Sequence, residues 1–194
     1  AIEVAQNLPT AVTLACENEA LGKNLTTYMN SQNFRIYRSR DELGAQIGGA
    51  LKNVIAIACG IIDGRSFGEN ARAALVTRGL TEMIRVGVAK GAQPETLSGL
   101  SGLGDLTLTC YSMQSRNFSL GVALGQGKKL EEVLNERNSI AEGVHSASAV
   151  TGLAKQLNVE VPICNAVDQV INQSADIDLT IEGLLSRPLK HEIE

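Results

Sequence analysis

The sequence has few of the residues that nucleic-acid-binding proteins concentrate. Aromatic residues make up 3% of its 194 residues, tryptophan is absent, and 17 lysines and arginines are outnumbered by 21 aspartates and glutamates. A formal net charge of −4, with no basic stripe and no interleaved aromatics, argues against nucleic acid as the main partner. The two histidines, His145 and His191, stand isolated, so neither is expected to be catalytic.

Cysteine is equally sparse. The four cysteines form no CxxC pair and have no flanking histidines: Cys16, Cys59, Cys110 and Cys164. This spacing predicts neither a metal site nor a disulfide framework, and it favours a reducing cytosol. With no signal peptide, and a longest apolar run that is predicted to be too short to span a bilayer, we expect a cytoplasmic protein without a membrane span. A start at Ala1 without methionine suggests a cut chain whose upstream part is missing.

The pattern of apolar residues changes near residue 40. Strands predicted over 10–16 and 34–39 flank a helix predicted over 17–31, which makes a βαβ unit. A lone unit of this kind forms no stable sheet, so residues 1–39 are interpreted as the end of an α/β domain. Residues 40–194 form a second, mainly α domain with helices predicted over 41–63, 69–91, 115–126, 129–136, 142–158, 162–173 and 176–186.

A single lysine interrupts the most apolar of these helices. Val54 to Ile62 carries no polar side chain, which predicts a helix that is buried on all sides. Gly44, Gly48 and Lys52 share one helix face, and a lysine there needs a counter-charge or an aqueous cavity. Two interpretations stay open: glycine packing against another helix with Lys52 reaching solvent, or a cleft in which Lys52 is a general acid/base.

The glycine-rich stretch 98–104, predicted to be a loop, leads into Asp105, which is the next candidate. Asp105 has the position of a cap on a short helix. It also has the chemistry to face Lys52 and to orient a catalytic base. The sequence leaves both roles open.

Ser115-Arg116-Asn117 opens the helix predicted over 115–126. A serine cap, a guanidinium and an amide at a helix start suit a phosphate or carboxylate, although similar triplets are common caps. Glu142 opens another helix and has the position of a first-turn acid.

The helix predicted over 69–91 carries charges at ion-pair spacing. Arg72, Arg78, Glu82 and Arg85 lie along it, and Arg78 with Glu82 has the i,i+4 separation of a helical ion pair. A structural role is expected for this set.

Short motifs stand in a consistent order along the whole chain. They are Gly48-Gly-Ala-Leu-Lys52-Asn53, Phe67-Gly-Glu-Asn-Ala-Arg-Ala-Ala-Leu75, Thr77-Arg-Gly-Leu80, Gly99-Leu-Ser-Gly-Leu-Gly-Asp105-Leu, Leu108-Thr-Cys110, Ser115-Arg-Asn117, Ala123-Leu-Gly-Gln-Gly127 and Glu142-Gly143. Together they resemble the bacterial NAD(P)-dependent glycerol-3-phosphate dehydrogenases.

This resemblance implies a fold and an activity. The fold is a C-terminal helical substrate domain, 6-phosphogluconate-dehydrogenase-like, preceded by a βαβ remnant of a Rossmann domain. The activity is interconversion of dihydroxyacetone phosphate and sn-glycerol 3-phosphate with NAD or NADP, for phospholipid precursor synthesis. The family's cofactor fingerprint would lie upstream, so this chain alone is expected to be inactive. A small-molecule substrate and a homodimer are the expected partners.

The resemblance also implies roles for particular residues. Lys52 is the catalytic proton donor and acceptor. The substrate contacts are Lys52, Asp105, Ser115, Arg116 and Asn117. The cofactor contacts are Ala1, Arg116 and Glu142.

Two other functions remain as alternatives. One is a related β-hydroxyacid or 6-phosphogluconate-type dehydrogenase, which would need an anion site different from Ser115-Arg116-Asn117. The other is a non-catalytic helical interaction module, in which Lys52 would be a solvated surface residue. The observation that separates them is whether Lys52 and Asp105 come together in a cavity beside Arg116.

Overall fold

The structure, a computed structural model, describes residues 2–136 and 141–188, so Ala1 and His191 lie outside the described residues. The strands are β1 (Thr10–Ala15) and β2 (Phe34–Ser39). The helices are α1 (Ile2–Ala5), α2 (Glu19–Met29), α3 (Glu42–Gly64), α4 (Glu69–Lys90), α5 (Pro94–Leu97), α6 (Asp105–Cys110), α7 (Arg116–Gly125), α8 (Leu130–Asn135), α9 (Glu142–Gln156), α10 (Pro162–Asn172) and α11 (Ile177–Leu185). A π-helical turn, Leu100–Gly104, precedes α6.

The predicted βαβ unit is confirmed. Strands β1 and β2 pair in parallel, from Thr10 opposite Phe34 to Ala15 opposite Ser39, and α2 makes the crossover between them. Asn18 caps α2 by accepting a hydrogen bond of 3.0 Å from the Leu21 backbone N–H. Two strands are too few for an independently stable sheet, so the division into residues 1–39 and 40–194 stays a prediction.

Helix α3 is the centre of the helical part. Every residue from Val54 to Ile62 is buried, which confirms the predicted buried helix. Helices α4, α6, α7, α9 and α10 pack around it. The apolar run was expected to be too short to span a bilayer, and this was wrong: α3, with 23 residues, is long and apolar enough to cross a membrane by length and composition. In the fold, 67% of its most apolar stretch is buried against the rest of the protein.

Helices α3 and α7 touch backbone to backbone. A Cβ atom added at Gly60 would lie 2.1 Å from the Phe118 carbonyl oxygen, and one at Gly121 would lie 2.1 Å from the Ile57 carbonyl oxygen. One turn further on, Gly64 and Gly125 face each other in the same way. The absence of side chains at these glycines therefore sets the distance between the two helices.

Glu82 joins α4 to the start of α10. Its carboxylate accepts hydrogen bonds from the backbone N–H groups of Ile163, at 2.7 Å, and Cys164, at 3.1 Å. Burial raises the pKa of the Glu82 carboxyl, although these two N–H groups act in the opposite direction. The predicted ion pair with Arg78 was therefore wrong, because Glu82 lies on the buried side of α4 and caps another helix instead.

Asp41 makes an equivalent link at the start of α3. Its Oδ1 accepts a hydrogen bond of 2.7 Å from the Gly44 backbone N–H, and its Oδ2 accepts one of 2.8 Å from the Gln93 N–H. Burial acts to raise the pKa of this carboxyl, but the hydrogen bonds outweigh burial and the pKa lies below its ordinary value of 3.8. The ionised form of Asp41 thus stabilises the fold.

We expect Asp41→Ala to lower the free energy of unfolding by about 2 kcal/mol at pH 7, because a helix cap and a second buried N–H lose their acceptor. Since folding lowers the pKa of Asp41, its contribution is complete above pH 3.8 and disappears as the pH falls through the folded-state pKa. Urea unfolding of the wild type and of Asp41→Ala at pH 7 and pH 3 measures this. The difference between their free energies of unfolding should be smaller at pH 3.

Asp176→Ala is the matched control. Asp176 also caps a helix, accepting a hydrogen bond of 2.9 Å from the Leu179 N–H, but at an exposed position. We expect a loss of about 0.5 to 1 kcal/mol there. Equal losses for the two variants would contradict the role given to Asp41.

Candidate active site

Lys52 and Asp105 form an ion pair between α3 and α6. Asp105 is the first residue of α6 and makes no side-chain cap, so of the two roles left open by the sequence, capping is excluded. Its Oδ2 instead accepts a hydrogen bond from the Lys52 ammonium. The two side chains are 22% and 35% exposed, which leaves both groups accessible to a small molecule.

The glycine face of α3 explains how Asp105 reaches Lys52. A Cβ atom at Gly48 would lie 2.5 Å from the backbone oxygen of Ser101, so the π-helical turn rests directly on α3. The stretch 98–104, expected to be a loop, is largely this turn, and it delivers the first residue of α6 to the lysine. The predicted glycine packing is therefore confirmed, and Lys52 has a counter-charge rather than only solvent. Its role as a general acid/base stays a prediction.

Asn53 and Asn117 connect the lysine to the next predicted site. Asn117 Nδ2 donates a hydrogen bond of 3.0 Å to Asn53 Oδ1, and Asn53 Nδ2 donates one of 3.2 Å to the Gly49 carbonyl oxygen. Asn117 Oδ1 accepts a hydrogen bond of 2.8 Å from the Gly143 N–H. Because Asn117 is only 4% exposed, it joins α3, α7 and α9 rather than presenting an open amide.

Asn53 was not singled out from the sequence, although it directly follows Lys52. Its position in the same motif was the available signal. Its partner, Asn117, could not be named because the two asparagines are 64 residues apart.

The start of α7 holds Ser115 and Arg116. Ser115 Oγ accepts a hydrogen bond of 3.2 Å from the Phe118 backbone N–H, so Ser115 is the N-cap. Arg116 forms an ion pair with Glu142, the first residue of α9, and both side chains are 51% exposed. A helix N-terminus beside an accessible guanidinium suits an anionic group, which would compete with Glu142 for Arg116.

Gly143 allows α9 to approach this closely. A Cβ atom there would lie 2.7 Å from Ile57 Cδ1 and 2.8 Å from the Asn53 carbonyl oxygen. Glycine at this position therefore lets the first turn of α9 rest on α3, with Glu142 beside Arg116. This contact explains why glycine follows the glutamate in the Glu142-Gly143 motif.

The described site residues thus form one connected set where the first turns of α6, α7 and α9 meet the middle of α3. The Lys52–Asp105 pair adjoins the Asn53–Asn117 bridge, which adjoins the Arg116–Glu142 pair. Ala1, the remaining predicted contact, lies outside the described residues. Across residues 2–136 and 141–188, no group of three or more His, Cys, Asp or Glu side chains could hold a metal ion.

The fold and the site define a mainly helical domain that presents a lysine, a carboxylate and an arginine beside one buried central helix. The family model for the C-terminus of NAD-dependent glycerol-3-phosphate dehydrogenase matches residues 41–182. The chain belongs to this family.

Similar proteins agree with this assignment. The chain is 60% identical over 190 residues to a glycerol-3-phosphate dehydrogenase (NAD(P)+) of Rhodospirillum rubrum, covering 98% of this chain and 54% of the relative. It is 57% identical over 192 residues to the protein of the same name from Parvibaculum lavamentivorans, covering 99% and 58%.

A solved structure supports the fold. The crystal structure of glycerol-3-phosphate dehydrogenase from Coxiella burnetii matches with a TM-score of 0.91 at 44% identity, over 95% of this chain and 57% of that one. The predicted fold class, a helical C-terminal domain after a small parallel sheet, is therefore confirmed. The chain spans somewhat more than half the length of these relatives.

Proposed function

We propose that this chain is the substrate-binding part of a dehydrogenase that interconverts dihydroxyacetone phosphate and sn-glycerol 3-phosphate with NAD or NADP. The observation that carries this proposal is the Lys52–Asp105 ion pair, joined to the Arg116 site through Asn53 and Asn117. Lys52 can move a proton, and Arg116 can hold a phosphate. A ketone that bears a phosphate needs both.

Lys52 handles the proton in this mechanism. When bound, the reduced nicotinamide supplies a hydride to C2 of the ketone. The Lys52 ammonium donates its proton to the carbonyl oxygen, which becomes the hydroxyl of glycerol 3-phosphate, and the neutral amine takes that proton back in the reverse direction. Its positive charge also stabilises the oxygen as negative charge develops. Asp105 orients the ammonium from α6.

Arg116 and the N-terminus of α7 hold the phosphate. The guanidinium offers paired N–H donors, and Ser115 sits at the end of the helix where backbone N–H groups face outward. Binding energy from the phosphate then orients C2 against Lys52, so a group remote from the reaction accelerates it. Asn117 keeps this helix end in register with Lys52 through its bond to Asn53.

The residues present also fit a nicotinamide cofactor. The Arg116–Glu142 pair is half exposed, so it offers a guanidinium for a phosphate and a carboxylate for hydroxyl groups. We propose both as cofactor contacts, together with Ala1. The preference for NAD or NADP depends on residues of the upstream cofactor domain that contact the ribose.

The wider assignments follow from the same proposal. Residues 1–39 are the end of a Rossmann domain and residues 40–194 are the helical substrate domain. The complete enzyme works in the cytoplasm as a homodimer and feeds glycerophospholipid synthesis. A non-catalytic module is disfavoured because Lys52 is paired with Asp105 rather than simply solvated.

The direct test uses the full-length protein, meaning this chain with its complete cofactor domain. Purified protein is mixed with NADH or NADPH and dihydroxyacetone phosphate, and oxidation of the cofactor is followed by absorbance. We expect turnover from the full-length protein and none from residues 1–194 alone. Absence of turnover with both cofactors would overturn the proposed function.

Arg116→Ala should raise KM for dihydroxyacetone phosphate about tenfold to a hundredfold, the loss expected for a hydrogen bond to a charged group, with a smaller change in kcat. Steady-state kinetics of the full-length variant measure both constants. Arg187→Ala is the matched control, because Arg187 also forms an exposed ion pair, 3.1 Å from Glu160, away from the site. An unchanged KM in Arg116→Ala would remove Arg116 from the phosphate site.

A further inference from the structure

Arg72 is the most enclosed arginine among the described ion pairs. Its side chain is 13% exposed and joins two helices: Nη1 lies 2.6 Å from Asp63 Oδ1 at the end of α3, and Nη2 pairs with Glu69 at the start of α4. Burial alone would lower the pKa of this guanidinium, but Glu69 and Asp63 outweigh burial and raise it. The group is therefore a permanent, firmly held cation.

Two aromatic rings lie against the same guanidinium. Its central carbon is 4.5 Å from the centroid of the Tyr111 ring and 5.8 Å from that of Phe118. Tyr111 directly follows α6, and Phe118 lies in the first turn of α7. Arg72 thus contacts both sides of the turn that connects these helices, at distances where a cation attracts a ring face.

This turn sets the position of the α7 N-terminus. The Ser115 backbone N–H donates a hydrogen bond of 2.9 Å to the Ser112 carbonyl oxygen, and the Ser115 hydroxyl caps the helix at the Phe118 N–H. A shift of Tyr111 or Phe118 would therefore move Ser115 and Arg116 together.

We infer that Arg72 is a positioning residue for substrate phosphate: it clamps the turn between α6 and α7 and thereby fixes Ser115 and Arg116. This inference rests on the proposed function. Arg72 does not act on the reacting atoms, since its partner Asp63 lies about 16 Å from Lys52 along α3 at the usual helical rise. Its effect passes through the α7 N-terminus.

Phosphorylated and unphosphorylated substrates separate this role from a general structural one. In the full-length protein, Arg72→Met keeps the apolar stem but removes the cation. We expect KM for dihydroxyacetone phosphate to rise about tenfold to a hundredfold, the effect of a small displacement of a binding group. For dihydroxyacetone, which has no phosphate to hold, kcat/KM should stay within about twofold of the wild type.

A double variant supplies the second readout. If Arg72 acts through the α7 N-terminus, Arg72→Met should add less to the KM of Arg116→Ala than the roughly tenfold or more expected of the single variant, because Arg116, one of the two residues it positions, is already gone. The matched control is Arg65→Met, which removes the 3.1 Å ion pair of Arg65 with Asp178 at the same end of α3. That control should leave KM for both substrates unchanged.

The outcomes are distinct. An inactive wild type overturns the proposed function and this inference with it. An active wild type in which Arg72→Met impairs both substrates equally, or adds its full effect to Arg116→Ala, overturns the inference alone. Should Arg72→Met fail to fold, Tyr111→Leu keeps apolar bulk at a half-exposed position and removes the ring, and it must show the same selective loss.

Discussion

Replacing Lys52 with methionine is expected to lower kcat for dihydroxyacetone phosphate about a thousandfold or more in the full-length protein. A positioned general acid contributes about a hundredfold to ten-thousandfold, and the lost charge removes stabilisation of the developing alkoxide as well. The variant should fold, because methionine fills the path of the lysine stem and Asp105, being 35% exposed, is rehydrated when its partner is lost. Cofactor oxidation under saturating substrate measures the effect.

Lys128→Met is the control for the loss of a lysine. Lys128 also forms an ion pair, 3.2 Å from Glu136, but at an exposed position after α7. Its kcat should match the wild type, and urea unfolding should place this variant within about 1 kcal/mol of the wild type, the usual range for exposed pairs. A kcat within tenfold of the wild type in Lys52→Met would refute the catalytic role of Lys52.

Gly60→Ala is expected to lower the free energy of unfolding by about 3 kcal/mol, the upper part of the range for overpacking a core. The added Cβ would lie 2.1 Å from the Phe118 oxygen and 2.8 Å from the Val122 nitrogen, both of which are backbone atoms of α7. Backbone of a packed helix cannot rotate away as a side chain can, so α3 and α7 must separate. Thermal or urea unfolding of the full-length protein measures the loss.

The same substitution should also impair activity. Lys52 lies on α3 and Arg116 on α7, so separating the helices changes the distance between proton donor and phosphate site.

Gly49→Ala, in the same helix, is the control for the stability prediction: a Cβ there meets no atom within 4 Å. It should stabilise the protein by about 0.5 to 1 kcal/mol through helix propensity. A similar stability for both alanine variants would disprove the backbone contact.

The local elements could be predicted from the sequence because their causes are local. The apolar run from Val54 to Ile62 has no polar face, so only a buried helix suits it. The alternation in Phe34–Ser39 was sufficient for a strand with those bounds. The π-helical turn was missed because glycines at 99, 102 and 104 carry the composition of a loop. Close backbone contacts that the sequence does not show, against Gly48 and Leu97, surround this turn.

Charged residues were harder to predict than elements. Glu82 has the spacing of an ion pair with Arg78, yet its carboxylate binds N–H groups 81 and 82 residues away. Asp105 has the sequence position of a cap, yet it lies one residue inside the helix and pairs with Lys52. In both cases the carboxylate bonds to a buried or partly buried group on another helix. Such a bond stabilises the fold more than an exposed local ion pair or cap would.

The sequence by itself determined the helix periods, the βαβ unit, the anomalous lysine in an apolar helix and the motifs that mark the family, because each depends on residues close together in the chain. Only the tertiary structure decided which groups meet. Lys52 and Asp105 are 53 residues apart, and Arg116 and Glu142 are 26 apart. These pairs form because the glycines Gly48, Gly60 and Gly143 let neighbouring segments approach α3 closely, so that the first turns of α6, α7 and α9 lie together beside it. Such contact geometry has no local signature in the sequence.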